Sequence, residues 1–430
     1  MAVRAYTGFI DLKYRPSRSD VVVEYLFEPN GVPFEIAAQQ IAVESSIGTW
    51  TELHTLKKRI VRTLKPSVFY MDKKKKLVKI AYPSDLFEPG NMPQILSSIA
   101  GNIFGMKTLK TLRLQDISFP KKLIKSFDGP RFGIKGIRKL LGVKSRPLVG
   151  TIVKPKVGLN EKEHAQVAYE AWLGGLDVVK DDENLSNMPF NHFKKRIDLT
   201  LKALEQAEKK TGEKKVYMPN ITSETMEMLR RLEYVRSRMG KYIMVDIITC
   251  GWAGLQTVRK FSRNLVIHAH RAGHGAFTHL PYQGISMLVI AKIARMIGVD
   301  QLHIGTAGVG KMEGKTKEVV SIEQEIEEDN VSANAMNLVL SQKWYGVKPV
   351  LAVASGGLHP GSVPALVRRM GTDIVIQAGG GVHWHPKGTV YGAMGMRQAI
   401  DAVMAGIPLK KYAETHLELK DAIQRFGIVK

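Results

Sequence analysis

The chain has 430 residues, 44% hydrophobic, 24% charged and 7% aromatic, a balance that excludes disorder and collagen-like repeats. Lysine and arginine number 63 against 40 aspartate and glutamate, and the formal charge of +23 suits an anionic partner, either a phosphorylated small molecule or nucleic acid. No apolar run is long enough for a membrane span, MAVRAYTGFIDLKYRP has no charged head before an apolar stretch, and the single cysteine, Cys250, permits no intrachain disulfide, so a soluble cytoplasmic protein is expected.

Residues 20–27 (DVVVEYLF) are rich in β-branched and aromatic types and predict a strand. Residues 33–44 predict a helix, and residues 67–71 and 77–82 flank the DKKKK turn as a hairpin. Residues 91–100 predict a second helix, and residues 108–119 are extended again. The order βαββαβ is that of a ferredoxin-like α+β domain, placed here at residues 1–128. The lysine run Lys73–Lys76 falls on the hairpin tip, and Lys209, Lys210, Lys214 and Lys215 fall at the end of a later helix. Solvated surface is expected for both. No zinc-finger, basic-zipper or RNA-binding sheet motif accompanies them, so a basic nucleic-acid-binding protein is the alternative from another class, and no nucleic-acid or membrane partner is expected.

From Pro147 the pattern changes and repeats. Short apolar runs at residues 148–153, 176–179, 216–218, 243–247, 265–267, 301–304, 349–353 and 373–376 each precede a segment of helical periodicity. Val363, Leu366, Val367 and Met370 share one helical face, and Met396, Ala399, Ile400 and Val403 share another. Continuous apolar strands alternating with helices point to parallel strands buried on both faces. Eight such units predict an α/β fold, a (β/α)8 TIM barrel over residues 129–430 with C-terminal helices; an open doubly wound sheet is the alternative, and the count of eight decides against it.

A barrel concentrates function just after its strands. Those positions hold Lys154 and Lys156 after the first strand, and Lys180, Asp181, Asp182 and Glu183 after the second. Asn220 follows the third; His268, His270 and Arg271 follow the fifth; His303 leads into a glycine-rich loop ending at Lys311. The seventh ends in Ser355-Gly356-Gly357 and the eighth in Gly379-Gly380-Gly381. Asp182 and Glu183 are hard oxygen donors suited to Mg²⁺. Arg271 and His303 can hold one phosphate, and the two glycine turns expose backbone N–H groups for a second. A small bisphosphorylated substrate follows. Lysines crowded beside His and Arg have lowered pKa values, which makes proton transfer or carbamate formation feasible near neutral pH. The stretch Gly305–Lys311 matches G-x₄-G-K, but Met312 stands where a nucleotide-binding P-loop needs Ser or Thr.

GGLDVVKDDEN from Gly174 resembles the activation motif of the ribulose-1,5-bisphosphate carboxylase/oxygenase (RuBisCO) large subunit. So do TIVKPKVGL from Thr151, HAHRAGH from His268, HIGTAGVGKMEG from His303, ASGGLHPG from Ala354 and IQAGGG from Ile376. ESSIGTWT from Glu44 and GNIFGMK from Gly101 match in the small domain, and the likeness is greatest to the archaeal form III type. The resemblance implies a carboxylase that converts ribulose 1,5-bisphosphate, CO₂ and water into two 3-phosphoglycerates, with oxygenation as a side reaction, in archaeal AMP salvage. It implies one Mg²⁺ per site, held by Asp182, Glu183 and an activating CO₂ carried as a carbamate on Lys180. Lys154 and His270 would be acid/base groups, and Lys311 would close over the site and orient the added CO₂. Arg271 and His303 would grip one phosphate; Gln377, Ala378, Gly379, Gly380, Thr49 and Trp50 the other. Lys156, Ser355, Gly356 and Gly357 would line the sugar. Glu44 would pair with Lys311 and Asn102 would reach toward the metal, both from a neighbouring subunit. A homodimer, without a small subunit and open to rings of dimers, is therefore implied.

The sequence departs from the family pattern at a few positions. The loop His303–Lys311 is one residue longer than in plant enzymes, and Gly273 and Gly275 stand where relatives have Met and Ala. Trp384 replaces a Gly beside the phosphate-binding glycines, which bears on phosphate affinity and loop closure. His383 and His385 could suggest a metal pair, but Pro386 makes a structural role the expectation. A RuBisCO-like enolase or isomerase acting on another phosphorylated sugar is the enzymatic alternative; such proteins lose several substrate contacts that are intact here.

Overall fold

The computed structural model describes residues 8–48, 53–311 and 314–429. Thr49, Trp50 and Met312 lie outside the described residues. The chain divides into two compact units: Met1–Asp128, Gly273–Ile297 and Glu328–Val347 form one, and Gly129–Ala272, Gly298–Glu327 and Lys348–Lys430 form the other.

In the first unit, strands β1 (Asp20–Pro29), β2 (Ser67–Asp72), β3 (Leu77–Pro83) and β4 (Leu109–Ser118) make an antiparallel sheet in the order β4-β1-β3-β2. Val21, Val23, Tyr25 and Phe27 alternate into the core along β1, as the period of two requires. Helices Phe34–Glu44 and Met92–Ile99 bury Ile41 and Ile95 completely. This is the ferredoxin-like arrangement read from the sequence, with one addition. Helix Lys58–Leu64 was not foreseen: it is only seven residues long, and it buries none of them. The lysine tip is an exposed turn, where Lys76 meets Glu28 at 3.2 Å.

The unit is not one continuous stretch, unlike a cut at residue 128. A short strand, Gly284–Ile285, pairs with β4, and on helix Met287–Ile297 the fully buried Lys292 meets Asp116 of β4 at 2.7 Å. Asp116 also accepts the Leu340 amide at 2.7 Å. These bonds place residues 273–297 and 328–347 with the small sheet.

The second unit carries eight parallel strands: β5 (Leu148–Ile152), β6 (Val178–Lys180), β7 (Val216–Met218), β8 (Tyr242–Asp246), β9 (Val266–His270), β10 (Gln301–His303), β11 (Leu351–Ser355) and β12 (Ile374–Gln377). Their order, β7-β6-β5-β12-β11-β10-β9-β8, leaves β7 and β8 at the ends. A parallel bridge between Asn220 and Met244 joins those ends and closes the barrel. Helix Gly133–Leu141 turns Ile134, Ile137 and Leu141 onto the first residues of the strands, among them Leu148, Val178, Val216, Tyr242 and Leu351. That apolar plug fills the N-terminal end, so polar chemistry is confined to the other. Two readings need correction. Strands β6 and β9 run on to Lys180 and His270, so Lys180, His268 and His270 lie on their strands and not after them. Lys215 is not surface: its side chain is fully buried and meets Glu213 at 2.8 Å.

Candidate active site

Lys180 is the last residue of β6 and is 1% exposed. Its Nζ donates to the Asp181 carbonyl at 2.8 Å, touches Met244 Sδ at 3.3 Å and lies 3.7 Å from Glu183 Oε2. Burial drives the pKa of this amine down against the pull of Glu183 and Asp182. The next three residues diverge. Asp182 Oδ2 meets Lys154 Nζ at 2.6 Å, and Glu183 Oε1 meets Lys156 Nζ at 3.5 Å. Burial would raise the Glu183 pKa, but Lys180, His270 and Lys156 hold it down at about 2.

Asp181 turns the other way. It is fully buried, with Arg196 Nε at 3.1 Å, Tyr217 Oη at 2.6 Å, His164 Nε2 at 3.1 Å and the Asn220 amide at 3.0 Å. Asn220 in turn donates to the carbonyls of Glu183 and Leu185, both at 3.1 Å. Asp181 and Asn220 therefore brace the turn that presents Asp182 and Glu183.

His270 Nδ1 lies 3.0 Å from Asp246 Oδ1, and its Nε2 faces Glu183 Oε2 at 3.7 Å. Asp246 ends β8 and also accepts the Ala272 amide at 2.7 Å. Sequence reading missed Asp246, although an acid at a strand's C-terminal end was the signal it used elsewhere. Arg271 is buried, and no hydrogen bond or ion pair to it is found among the described residues. Burial lowers its pKa to about 10, opposed by Glu318. His303 is different: Nε2 bonds His268 Nε2 at 2.8 Å and Nδ1 bonds Ser355 Oγ at 2.7 Å. Both ring nitrogens are engaged, so Arg271 is the charged group of the pair, and His303 meets an anion only by exchanging one of these bonds.

The loop after β10 folds back on the end of β11. The Lys311 amide donates to the Gly356 carbonyl at 3.0 Å, and a Cβ on Gly357, whose φ is +74°, would fall 2.7 Å from Lys311 Cγ. Glycine is required there by both conformation and contact. Lys311 itself is exposed. After β12, Ala378 donates to the Gly150 carbonyl, and the first helical bonds of Gly380–His383 come from Val382 and His383 to the Gly379 carbonyl. The amides of Gly379 and Gly380 precede them. A Cβ on Gly379 would stand 3.1 Å from Lys154 Cε, so the glycine turn and Lys154 share one side of the mouth. Gln377 is fully buried, and its Oε1 has no partner among the described residues.

His383 and His385 are structural. His383 Nε2 lies 2.9 Å from Thr151 Oγ1 and 3.0 Å from the Ile152 carbonyl, and His385 Nε2 lies 3.1 Å from the Glu418 carbonyl. Trp384 is 60% exposed and turned onto Arg425, whose guanidinium is 3.7 Å from the ring centroid. In the first unit, Glu44 ends its helix and Asn102 opens the turn Asn102–Gly105. Buried tyrosines brace both positions: Tyr82 Oη lies 2.8 Å from Ser45 Oγ, and Tyr25 Oη donates to the Ile99 carbonyl at 2.7 Å.

Could this mouth hold a divalent cation? Among the described residues no three His, Cys, Asp or Glu side chains converge on one point. Asp182 and Glu183 are two hard donors whose charges are met by lysines. The donor set fits a metal if Lys180 itself supplies the third anionic oxygen, and a buried amine of lowered pKa is the form that reacts with CO₂.

Comparison with known proteins gives one answer throughout. Residues 133–426 match the ribulose bisphosphate carboxylase large chain, catalytic domain, and residues 8–123 match the N-terminal domain of the same chain. A ribulose bisphosphate carboxylase of Methanosarcina mazei is 51% identical over 422 residues, covering 97% of this chain and 98% of that one. A dimeric archaeal Rubisco from Hyperthermus butylicus superposes with a TM-score of 0.93 at 44% identity, covering 98% and 99% of the two chains. An octameric Rubisco from Pyrococcus horikoshii gives 0.91 at 46% identity, covering 99% of each.

Proposed function

This chain belongs to the ribulose bisphosphate carboxylase large-chain family, and we propose that its barrel mouth adds CO₂ and water to ribulose 1,5-bisphosphate to give two molecules of 3-phosphoglycerate. The observation that carries this reading is Lys180: a lysine 1% exposed, its pKa lowered by burial, with Asp182 and Glu183 beside it. As a neutral amine it attacks an activating CO₂, forming an N–C bond and losing one proton; the carbamate oxygen, Asp182 and Glu183 would then hold Mg²⁺. When bound there, the metal would supply Lewis-acid stabilisation of developing negative charge.

The remaining groups do the work of binding and proton transfer. Transfer of the C3 proton of the sugar bisphosphate to the Lys180 carbamate, which would act as the base, gives the enediolate, whose C2 bonds to the substrate CO₂. Water then adds at C3, and the C2–C3 bond breaks. Lys154, 2.6 Å from Asp182, is placed to deliver the proton that the departing C2 carbanion needs. His270 is held by Asp246 with Nε2 toward the mouth, where it serves the substrate hydroxyls. Arg271 meets one phosphate as a buried cation with no ion pair among the described residues, and the amides of Gly379 and Gly380 meet the other. Gln377 and Ala378 lead into that turn, while Lys156, Ser355, Gly356 and Gly357 line the sugar. Lys311, already resting on Gly356, closes the site. Glu44, Thr49, Trp50 and Asn102 complete the mouth of a second copy, a reading supported by the dimeric Hyperthermus butylicus relative. The absence among the described residues of any helix long and apolar enough to cross a membrane is consistent with a cytoplasmic enzyme.

The test is Mg²⁺-dependent incorporation of labelled bicarbonate into 3-phosphoglycerate, run anaerobically over a temperature series. Label that disappears in Lys180→Met is expected. No label from a folded, CO₂-activated protein would overturn the carboxylase reading and point to an enolase or isomerase on another phosphorylated sugar.

A further inference from the structure

Behind the mouth, four side chains form a continuous hydrogen-bonded chain that leads from the barrel interior to its rim. Gln301 Oε1 lies 2.7 Å from His268 Nδ1, His268 Nε2 lies 2.8 Å from His303 Nε2, and His303 Nδ1 lies 2.7 Å from Ser355 Oγ. Gln301 and His268 are fully buried and His303 is 3% exposed, whereas Ser355 is only half-buried, at the end of β11. Burial makes both imidazoles neutral, bringing His268 down to about 3 and His303 well below its ordinary value.

A neutral imidazole has one N–H and one lone pair. Two neutral rings that share an Nε2–Nε2 hydrogen bond cannot be the same tautomer, because one must donate and the other accept. Which does which is set at the end of the chain. The Gln301 amide oxygen accepts, so the His268 proton is on Nδ1 and its Nε2 is the acceptor. His303 then carries its proton on Nε2, and its Nδ1 accepts from the Ser355 hydroxyl. Ser355 has a single proton, and it points inward. Toward the mouth the oxygen offers lone pairs only.

We propose that Gln301 and His268 are positioning residues which, through His303, hold the Ser355 hydroxyl as an acceptor toward the substrate. The lone pairs left facing the mouth suit the sugar contact that the family resemblance already gives Ser355, and not an ionised phosphate oxygen, which can only accept. The second half of this statement rests on the reading of the mouth as a sugar bisphosphate site; the tautomers do not.

Selective ¹⁵N-histidine labelling of the full-length protein at neutral pH, without substrate, reads the tautomers from the two-bond nitrogen–proton couplings. His268→Gln and His303→Gln identify the two signals. His268 protonated on Nδ1 and His303 on Nε2 are expected, and the reverse pair overturns the proposal. Gln301→Glu keeps an acceptor at the chain's end and preserves this pattern; a reversal in that variant shows that the amide had been donating, and also overturns it. The kinetic arm is a double-mutant cycle of Gln301→Leu with Ser355→Ala, with Gln301→Met in reserve should the leucine variant fail to fold. Alone, Gln301→Leu lowers kcat/KM about tenfold, the worth of one misdirected hydrogen bond. In the Ser355→Ala background its effect vanishes. Effects that simply multiply overturn a role through Ser355. If the wild type fails to turn over ribulose 1,5-bisphosphate, the site reading falls while the NMR result still decides the direction of the chain.

Discussion

Two neighbouring groups of charges around β6 end in opposite conditions. On the outer side of the strand, Asp181 has a full set of partners in Arg196, Tyr217, His164 and the Asn220 amide. At the mouth, Lys180 has one carbonyl and a sulfur atom within hydrogen-bond reach, and Arg271 has no bonded partner among the described residues. Two adjacent residues thus differ: Lys180 has Glu183 as a loose counter-charge at 3.7 Å and no carboxylate within hydrogen-bond reach, whereas the network around Asp181 is complete. A complete network stabilises a fold, whereas a buried cation lacking its anion costs stability until a ligand supplies one. The difference separates the residues that hold the turn from those that use it.

That contrast can be broken most severely at Lys180. Lys180→Met removes the amine but keeps the shape, and carboxylation is expected to fall by at least about a thousandfold, as when a group required in the transition state is lost. Thermal unfolding should show a midpoint no lower than the wild type's, because an incompletely paired buried charge has gone. Asp181→Asn should do the reverse. Leaving Arg196 buried without its carboxylate costs about 3–5 kcal/mol, read as a lower denaturation midpoint, with any loss of activity following from the loosened turn. The pH dependence has a definite sign. Burial raises the Asp181 pKa, but Arg196, His164 and Tyr217 overcome this and hold it below the ordinary carboxylate range. A lowered folded value contributes stability that is fully present above the unfolded value and is lost as pH falls through the folded one. Wild type should therefore lose this contribution only in strong acid, and Asp181→Asn should lack that part of its acid unfolding.

Arg271→Met comes next. It should raise KM for the bisphosphate about ten- to a hundredfold, the range of one or two charge-assisted hydrogen bonds, without lowering the unfolding midpoint. A fall in that midpoint would show that Arg271 holds the fold. The smallest effect is expected at Trp384, whose ring lies on Arg425 and is 60% exposed. Trp384→Gly should leave KM unchanged and cost about 0.5–1 kcal/mol through the lost cation–π contact.

The barrel was legible because its strands are buried on both faces and read as continuous apolar runs, and eight of them leave little choice of architecture. The clustering of the candidate site was legible because the fold gathers such positions at strand ends: Lys154, Lys180, Asp182 and Glu183 are found there together. What spacing could not tell was direction. Nothing in the string KDDE says that Asp181 turns away from Asp182 and Glu183, since that depends on Arg196 and Tyr217, which reach it from other elements. His303 read as a phosphate ligand, and its neutral, doubly bonded state follows from His268 and Ser355 on adjacent strands. Trp384 read as bearing on phosphate affinity and loop closure, but its ring leaves toward Arg425 on the C-terminal helix. In each case the missing information is a contact between residues distant in sequence.

The most direct test of the claim that the mouth lacks charges its ligands supply is ¹³C NMR of the protein equilibrated with ¹³C-bicarbonate and Mg²⁺. The account predicts a carbamate resonance that needs Mg²⁺ for full intensity and is absent from Lys180→Met. A folded wild type that turns over substrate without that resonance, or a Lys180→Met protein that keeps it, would contradict the account.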